Sequence, residues 1–211
     1  VLEPSCVSVF RDEMVNLLGS DEDAARLSKQ TMLLSEFLAA KAPDFQIPAL
    51  KAKALVHGHC HQKSVLRFSD EETLLKKIGL DYTILDSGCC GMAGAFGFEK
   101  GDHYDVSIKC GERVLLPEVR DAEPTTLIVS NGFSCREQIS QTTDRQAMHI
   151  AQVIKMALDG DKPHSHKELD YMPDIRAEAE RATRRGLVVV GIEAATLGFL
   201  GVMSFRRPTS H

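Results

Sequence analysis

The feature that most limits what this chain can fold into is an alternation along its middle. Residues 52–57 (AKALVH), 82–86 (YTILD) and 126–130 (TLIVS) each read as a short buried strand, and helical periodicity stands between and after them. Asp70 is expected to open one helix carrying Leu74, Leu75 and Ile78, which Gly79 ends. A second is expected near 103–116, where Val106, Cys110 and Val114 fall four apart. A third is expected over 145–158, with Ala147, Ile150, Ala151, Ile154 and Leu158 on one face. Strand and helix in strict succession build a parallel sheet covered by helices. The expected fold class is therefore α/β: a parallel sheet of βα units with cysteine loops at its C-terminal edge, plus a C-terminal apolar helix.

The cysteines fall on this frame in a telling way. Cys60 follows the first strand, Cys89 and Cys90 follow the second, and Cys135 follows the third. In a parallel sheet the loops after the strands all leave from one edge, the edge where open α/β sheets hold ligands. Four thiols far apart in sequence are thus predicted to converge. Cys110, in mid-helix, is not expected to join them, and Val106, Cys110 and Val114 read as one apolar helical face.

Six cysteines in 211 residues are too sparse for a disulfide scaffold, and Cys89 and Cys90 are adjacent, which disfavours a bond between them. Soft thiolates suit an iron-sulfur cluster or zinc. Gly88 and Gly91 flank the pair and permit the sharp turn that lets both thiols face inward. The bland alternative is four small apolar core residues, which fits a glycine-flanked CCG loop poorly. Around Cys60 runs HGHCHQK, residues 57–63. This run has two readings: His59 or His61 ligates metal beside Cys60, or, as favoured, His59, His61 and Lys63 donate hydrogen bonds to cluster sulfurs. The glycine-rich MAGAFGFE, residues 92–99, lacks the GxGxxG and P-loop patterns and is expected to pack its backbone against an inorganic cofactor. His103 reads as a capping or surface residue, and His149 has no evident task. No GxSxG elbow supports serine hydrolysis.

Composition excludes other classes. A net charge of −5, with 6% aromatic residues and no Trp, argues against nucleic acid as a partner. With 43% apolar residues the chain is neither fibrous nor disordered in type. It opens on Val1 and reads as a cut chain or a fragment with no signal peptide. Reduced thiols in a cytoplasmic setting are the expectation.

Residues 1–45 read as helical, with Asp21 opening a helix on which Leu27, Thr31, Leu34, Phe37 and Leu38 recur at helical spacing. Residues 2–6 (LEPSC) echo residues 131–135 (NGFSC), each placing Ser-Cys near a helix start. Beyond 158 the chain changes character. A polar, Gly- and Pro-containing linker leads to a charged helix near 175–185. Residues 187–205 then carry one charge, Glu193, between Arg184–Arg185 and Arg206–Arg207. That is long enough for a membrane helix, with a buried helix or strand as the alternative.

Taken together, HGHCHQK, DSGCCGMAGAFGFE and SNGFSCREQI closely resemble the cysteine-rich CCG domain of FAD-linked oxidases with a fused iron-sulfur half. Such proteins are D-2-hydroxyglutarate and D-lactate dehydrogenases. More distantly the motifs resemble the iron-sulfur subunit of glycolate oxidase, the small subunit of anaerobic glycerol-3-phosphate dehydrogenase and the CCG-containing subunit of heterodisulfide reductase. The resemblance covers about residues 1–158. It implies that 1–45 is the end of a first CCG-type repeat with a helical connector. It makes 46–160 a second CCG-type repeat, followed by the linker and charged helix (161–186) and the candidate membrane helix (187–205). It further implies a 4Fe-4S-type cluster on Cys60, Cys89, Cys90 and Cys135, with zinc as the alternative. FAD is expected only in a separate flavin-containing dehydrogenase half, which oxidises a 2-hydroxy acid. Electrons would pass to a quinone or other electron carrier. The apolar stretch 187–205 has no counterpart in the resemblance; read as a membrane helix, it would be a contact to the inner face of the cytoplasmic membrane. The fullest family pattern ends in C-x-x-C and has five thiols. Gly132 stands at the first of that pair here, so four remain and the non-cubane cluster of the heterodisulfide reductase relatives is not implied. Cys6 would belong to the preceding repeat. The competing functions are a zinc-stabilised scaffold domain and a thiol redox enzyme using Cys89 and Cys90.

Overall fold

A computed structural model describes residues 1–160 and 181–183. The tail at 187–205, expected to be a membrane helix, and all of 161–186 except those three residues lie outside the described part. Among the described residues no helix is long and apolar enough to cross a membrane.

The centre is a three-stranded parallel sheet of β1 (Lys53–Val56), β2 (Asp81–Ile84) and β3 (Leu127–Val129), in the order β2-β1-β3. Val56 pairs with Ile84 on one side and with Val129 on the other, so the three strands end level. All three residues of β3 are buried, as the continuous apolar run LIV requires of a strand covered on both faces. Met148 extends the sheet by a single parallel bridge to Val129.

Helices close the crossovers. Between β1 and β2 runs α5 (Ser69–Ile78), burying Leu74, Leu75 and Ile78 and ending on the left-handed Gly79 (φ 78°). Phe68, not Asp70, stands at its start, and Asp70 lies in the first turn with Glu71 and Glu72, where carboxylates favour the helix dipole. Between β2 and β3 the expected single helix is two: α6 (Asp102–Gly111) and α7 (Leu115–Asp121). The break changes the core. Val106 is 49% exposed, whereas Leu115, Leu116 and Val119 are buried completely. The four-residue spacing of Val106, Cys110 and Val114 therefore marks no apolar face. After β3 come α8 (Phe133–Thr142) and α9 (Ile150–Leu158). The segment expected to be helical from 145 starts five residues later, because Met148 belongs to the sheet edge and His149 caps α9.

The N-terminal part holds α1 (Pro4–Ser8), which runs through a π-helical turn into α2 (Met14–Leu17), then α3 (Glu22–Gln30) and α4 (Leu34–Lys41). Asp21 caps α3 as expected, accepting the Ala24 N–H at 2.9 Å. The apolar series from Leu27 to Leu38 is split at Thr31–Leu33, and Leu27 and Phe37 are exposed. Val7, Leu33 and Leu66 form a small buried cluster of their own. The main core joins Leu55 and Ile128 of the sheet to Leu115, Leu116 and Ile139, and takes in Cys90 and Cys135 at the strand ends.

Candidate functional site

Because β1, β2 and β3 end level, the loops that follow them share one edge. Cys60 opens the helical turn after β1, Cys89 and Cys90 sit in the loop after β2, and Cys135 lies in the first turn of α8 after β3. Cys90 and Cys135 are buried against the core, and Cys60 and Cys89 are half-buried on the solvent side. The four thiols form a continuous row. Cys60 interacts with Cys89, Cys89 with Cys90, and Cys90 with Cys135. Among the described residues no group of three or more His, Cys, Asp or Glu side chains is gathered as a ready single-ion site.

Backbone conformation makes the row. Gly91 has φ 97°, which only glycine adopts without strain. A Cβ there would run into the Ser107 carbonyl of α6 and approach the Cys110 Cβ to 2.9 Å. The turn is thus pressed onto α6, and the Gly91 N–H donates to Cys89 Sγ at 3.3 Å. Gln138 of α8 holds the same turn from the other side, donating to the Cys90 carbonyl (3.2 Å) and the Ser107 carbonyl (3.1 Å). Gly132 approaches as closely: a Cβ on it would overlap His59 Cδ2 and lie 3.1 Å from Cys135 Sγ.

The thiols share protons unevenly. Hydrogen bonding to Cys89 and then burial push the Cys60 thiol up, and bonding to Cys135 and Cys89 pushes Cys90 up. Cys89 is pulled down by the bonds it receives from Cys60 and Cys90, and Cys135 by the bond from Cys90, against its burial. Along the row, thiols pushed up thus alternate with thiols pulled down. A soft cation that displaced the thiol protons would meet four sulfur ligands. The glycine cradles at 91 and 132 bring the backbone close around that row.

The histidines divide into two groups. His59 Nδ1 accepts the His61 N–H at 3.2 Å, which puts the ring proton on Nε2, directed at Ser5 Oγ (3.3 Å). Burial holds this imidazole below its ordinary range. Ser8 donates to the Ser5 carbonyl (2.8 Å), so His61 Nδ1 donates to Ser8 Oγ (2.9 Å). Lys63 is exposed and donates to the Leu85 carbonyl (3.2 Å). Both ring nitrogens of His59 and Nδ1 of His61 are therefore turned to α1 and the loop itself. Electrostatically His59 still favours the Cys89 and Cys135 thiolates.

Sequence reasoning missed several contributors. His57 is buried beside Cys135, with Nδ1 2.6 Å from Ser87 Oγ. Glu3 accepts the Phe133 N–H (2.7 Å) and so caps α8 across the site. Asn131 donates to buried Glu71 (2.8 Å) and accepts the Ile150 N–H (3.0 Å). His57, Glu3 and Asn131 lie inside HGHCHQK, LEPSC and SNGFSC, segments that stand out for their cysteines. Within MAGAFGFE, Gly97 lies against Met92 and Ser107, whereas a Cβ on Gly94 would meet nothing within 4 Å. His103 stacks on Phe96 (4.4 Å between ring centres) and bonds Glu99 at the surface. Cys6 is exposed and Cys110 half-buried, packed under Gly91.

Comparison with known proteins agrees with the motifs. The chain is 30% identical over 160 residues to a subunit of the anaerobic glycerol-3-phosphate dehydrogenase of Escherichia coli (strain K12), across 73% of this chain and 39% of the relative. It is 27% identical over 156 residues to the D-2-hydroxyglutarate dehydrogenase of Pseudomonas putida, across 72% of this chain and 14% of that protein. The D-2-hydroxyglutarate dehydrogenase of Escherichia coli (strain K12) is 24% identical over 162 residues, of which the chain spans 15%. The chain thus spans well under half the length of the curated relatives it matches. No family profile and no solved structure matches it. Its homologues are dehydrogenases or dehydrogenase subunits, and the likeness is that of a CCG-type C-terminal part.

Proposed function

We propose that this chain is the iron-sulfur electron-transfer part of a FAD-linked 2-hydroxy-acid dehydrogenase, with Cys60, Cys89, Cys90 and Cys135 as the cluster ligands. The observation that carries the reading is the row of four thiols drawn from three strand-end loops onto one edge. Loops after parallel strands are where such folds bind ligands, and thiolates on separate loops are what an iron-sulfur cluster takes. The dehydrogenase homologues favour iron-sulfur over zinc, because zinc carries no redox chemistry.

A bound cluster supplies one-electron transfer. This chain's residues do the rest. Cys90 and Cys135, buried against the core, and Cys60 and Cys89, half-buried, would hold the cluster. Gly91 and Gly132 let backbone approach, and buried apolar residues below the row exclude water and raise the electrostatic weight of each neighbouring donor. The flavin belongs to a partner dehydrogenase half, in keeping with the 14–39% of its relatives that the chain spans. The acceptor is a quinone or another electron carrier.

The test is purification without oxygen, followed by absorbance and metal analysis. A broad visible band bleached by dithionite, with iron in the protein, supports the reading. A colourless chain carrying zinc sinks it in favour of a scaffold domain. A metal-free chain that reduces a disulfide substrate through one alkylatable thiolate sinks it in favour of a thiol enzyme.

A further inference from the structure

His57 is the one imidazole of its loop with a buried ring nitrogen that has no hydrogen-bond partner. Its side chain is 1% exposed. The backbone is fixed, because the His57 N–H continues the sheet by donating to the Val129 carbonyl at 2.9 Å. Nδ1 lies 2.6 Å from the hydroxyl of Ser87, itself buried in the loop after β2. Nε2 is buried and has no hydrogen-bond partner. The His57 side chain lies beside that of Cys135, within reach of an interaction with its sulfur. A buried N–H with no acceptor forfeits the hydrogen bond it would have in water, so an orphan of this kind in a packed interior calls for a role.

Two arrangements are open to a neutral ring. With the proton on Nδ1, Ser87 accepts it and Nε2 faces the sulfur as a lone pair. With the proton on Nε2, the Ser87 hydroxyl donates to Nδ1 and Nε2–H points to sulfur. A ligating thiolate has no proton to give and has lone pairs to share, so the second arrangement is the one that satisfies every atom.

Resting on the iron-sulfur reading above, we infer that His57 is a positioning and tuning residue. It donates Nε2–H to the Cys135 sulfur, in a tautomer set by Ser87, and so stabilises the more electron-rich reduced state of the site. This role differs from the one expected of His59 and His61, whose hydrogen bonds run to Ser5, Ser8 and their own loop. It is also distinct from ligation, since Nε2 bonds the sulfur through its proton and has no lone pair to offer.

A hydrogen bond to a ligand sulfur draws negative charge off the site, so its removal lowers the midpoint potential. The experiment compares the wild-type chain with His57→Leu, His57→Gln and Ser87→Ala, each purified without oxygen and reconstituted with iron and sulfide. Iron per chain, the visible spectrum and the midpoint potential are read for each. The expected result is full iron in all four, a lower potential in His57→Leu and a smaller drop in Ser87→Ala. His57→Gln, which keeps a side-chain N–H, should lie nearest the wild type. An unchanged potential and spectrum in both His57→Leu and Ser87→Ala overturns the inference and leaves the ring as packing. Loss of iron in His57→Leu and His57→Gln while Ser87→Ala keeps both iron and potential also overturns it, in favour of direct ligation. If His57→Leu does not fold, Ser87→Ala alone decides by its potential. A wild-type chain that takes up no iron-sulfur cluster refutes the underlying reading, a result distinct from either of these.

Discussion

Gly91→Ala is the sharpest single perturbation of the site's frame. Two terms add. A residue with a side chain at φ 97° sits in a region that costs about 1–3 kcal/mol in backbone strain. The new methyl would also overlap the Ser107 carbonyl and crowd the Cys110 Cβ at 2.9 Å. That carbonyl cannot easily retreat, since Ser107 is inside α6 and its oxygen accepts from Gln138 at 3.1 Å. Overpacking of a fixed neighbour adds about 1–3 kcal/mol. The sum centres on about 4 kcal/mol. Gly94→Ala isolates the first term, because Gly94 has φ 65° and nothing within 4 Å of the would-be Cβ. That variant should lose only about 1–2 kcal/mol. The assay is urea unfolding of the metal-free chain, with the midpoint and slope both recorded. Equal midpoint shifts for the two variants, at unchanged slope, would show that the CCG turn is not pressed on α6 and would refute the reasoning.

Three further outcomes follow from particular atoms. Cys90→Ser and Cys135→Ser should each lose most bound iron, because serine is a harder and far less acidic ligand, while Cys110→Ser keeps its iron and loses only stability; metal analysis per chain checks this. His149 caps α9 by accepting the Ala151 N–H (3.0 Å), and its Nε2 donates to the Leu2 carbonyl (2.9 Å). Burial lowers its pKa from the ordinary 6.5, so the neutral ring is favoured in the fold. Its stabilisation is full above pH 6.5 and is lost as pH falls below that towards the folded value, a loss that His149→Asn should flatten in denaturation measured across pH. Glu71 has the opposite sign: burial raises its pKa above 4.5, so the protonated form is favoured in the fold. Its contribution is full below pH 4.5 and falls as pH climbs through the folded value, and Glu71→Gln should remove that slope in the same measurement.

Strand order apart, the frame is legible in the sequence because it rests on runs that leave little choice. LIV at 127–129 has no polar face to offer water, so it has to be a covered strand, and the same holds for Ala54, Leu55 and Val56 of β1. Once the strands are parallel, the convergence of Cys60, Cys89, Cys90 and Cys135 follows from topology alone. What stays illegible depends on contacts between segments far apart in sequence. The break after Gly111 turns on the tight approach of that glycine to Leu116 and the Cys90 carbonyl, which no periodicity encodes. His149 looks idle in the sequence because its acceptor is Leu2, 147 positions away. Gly132 reads as a missing thiol, and only the fold shows the His59 ring lying against it.

The N-terminal segment has the largest bearing on how the site works. Glu3 caps α8, Ser5 and Ser8 bond His59 and His61, and Leu2 bonds His149. Val7 locks against Leu66, at the end of the turn that Cys60 begins. The cysteine loop after β1 is thus held between the sheet edge and a helix from the start of the chain. Each of these bonds is modest, on the order of 1 kcal/mol, but together they restrain both histidines and the first turn of α8. On the proposed reading, in which Cys60 would ligate a cluster, a loop restrained from two sides would keep that sulfur in one place as the charge changes, the small reorganisation that a preorganised site provides. The echo between LEPSC and NGFSC acquires a physical meaning here. Two helix starts, one from each segment, face the same histidine loop, one delivering Cys135 and the other the hydroxyls that hold the histidines still.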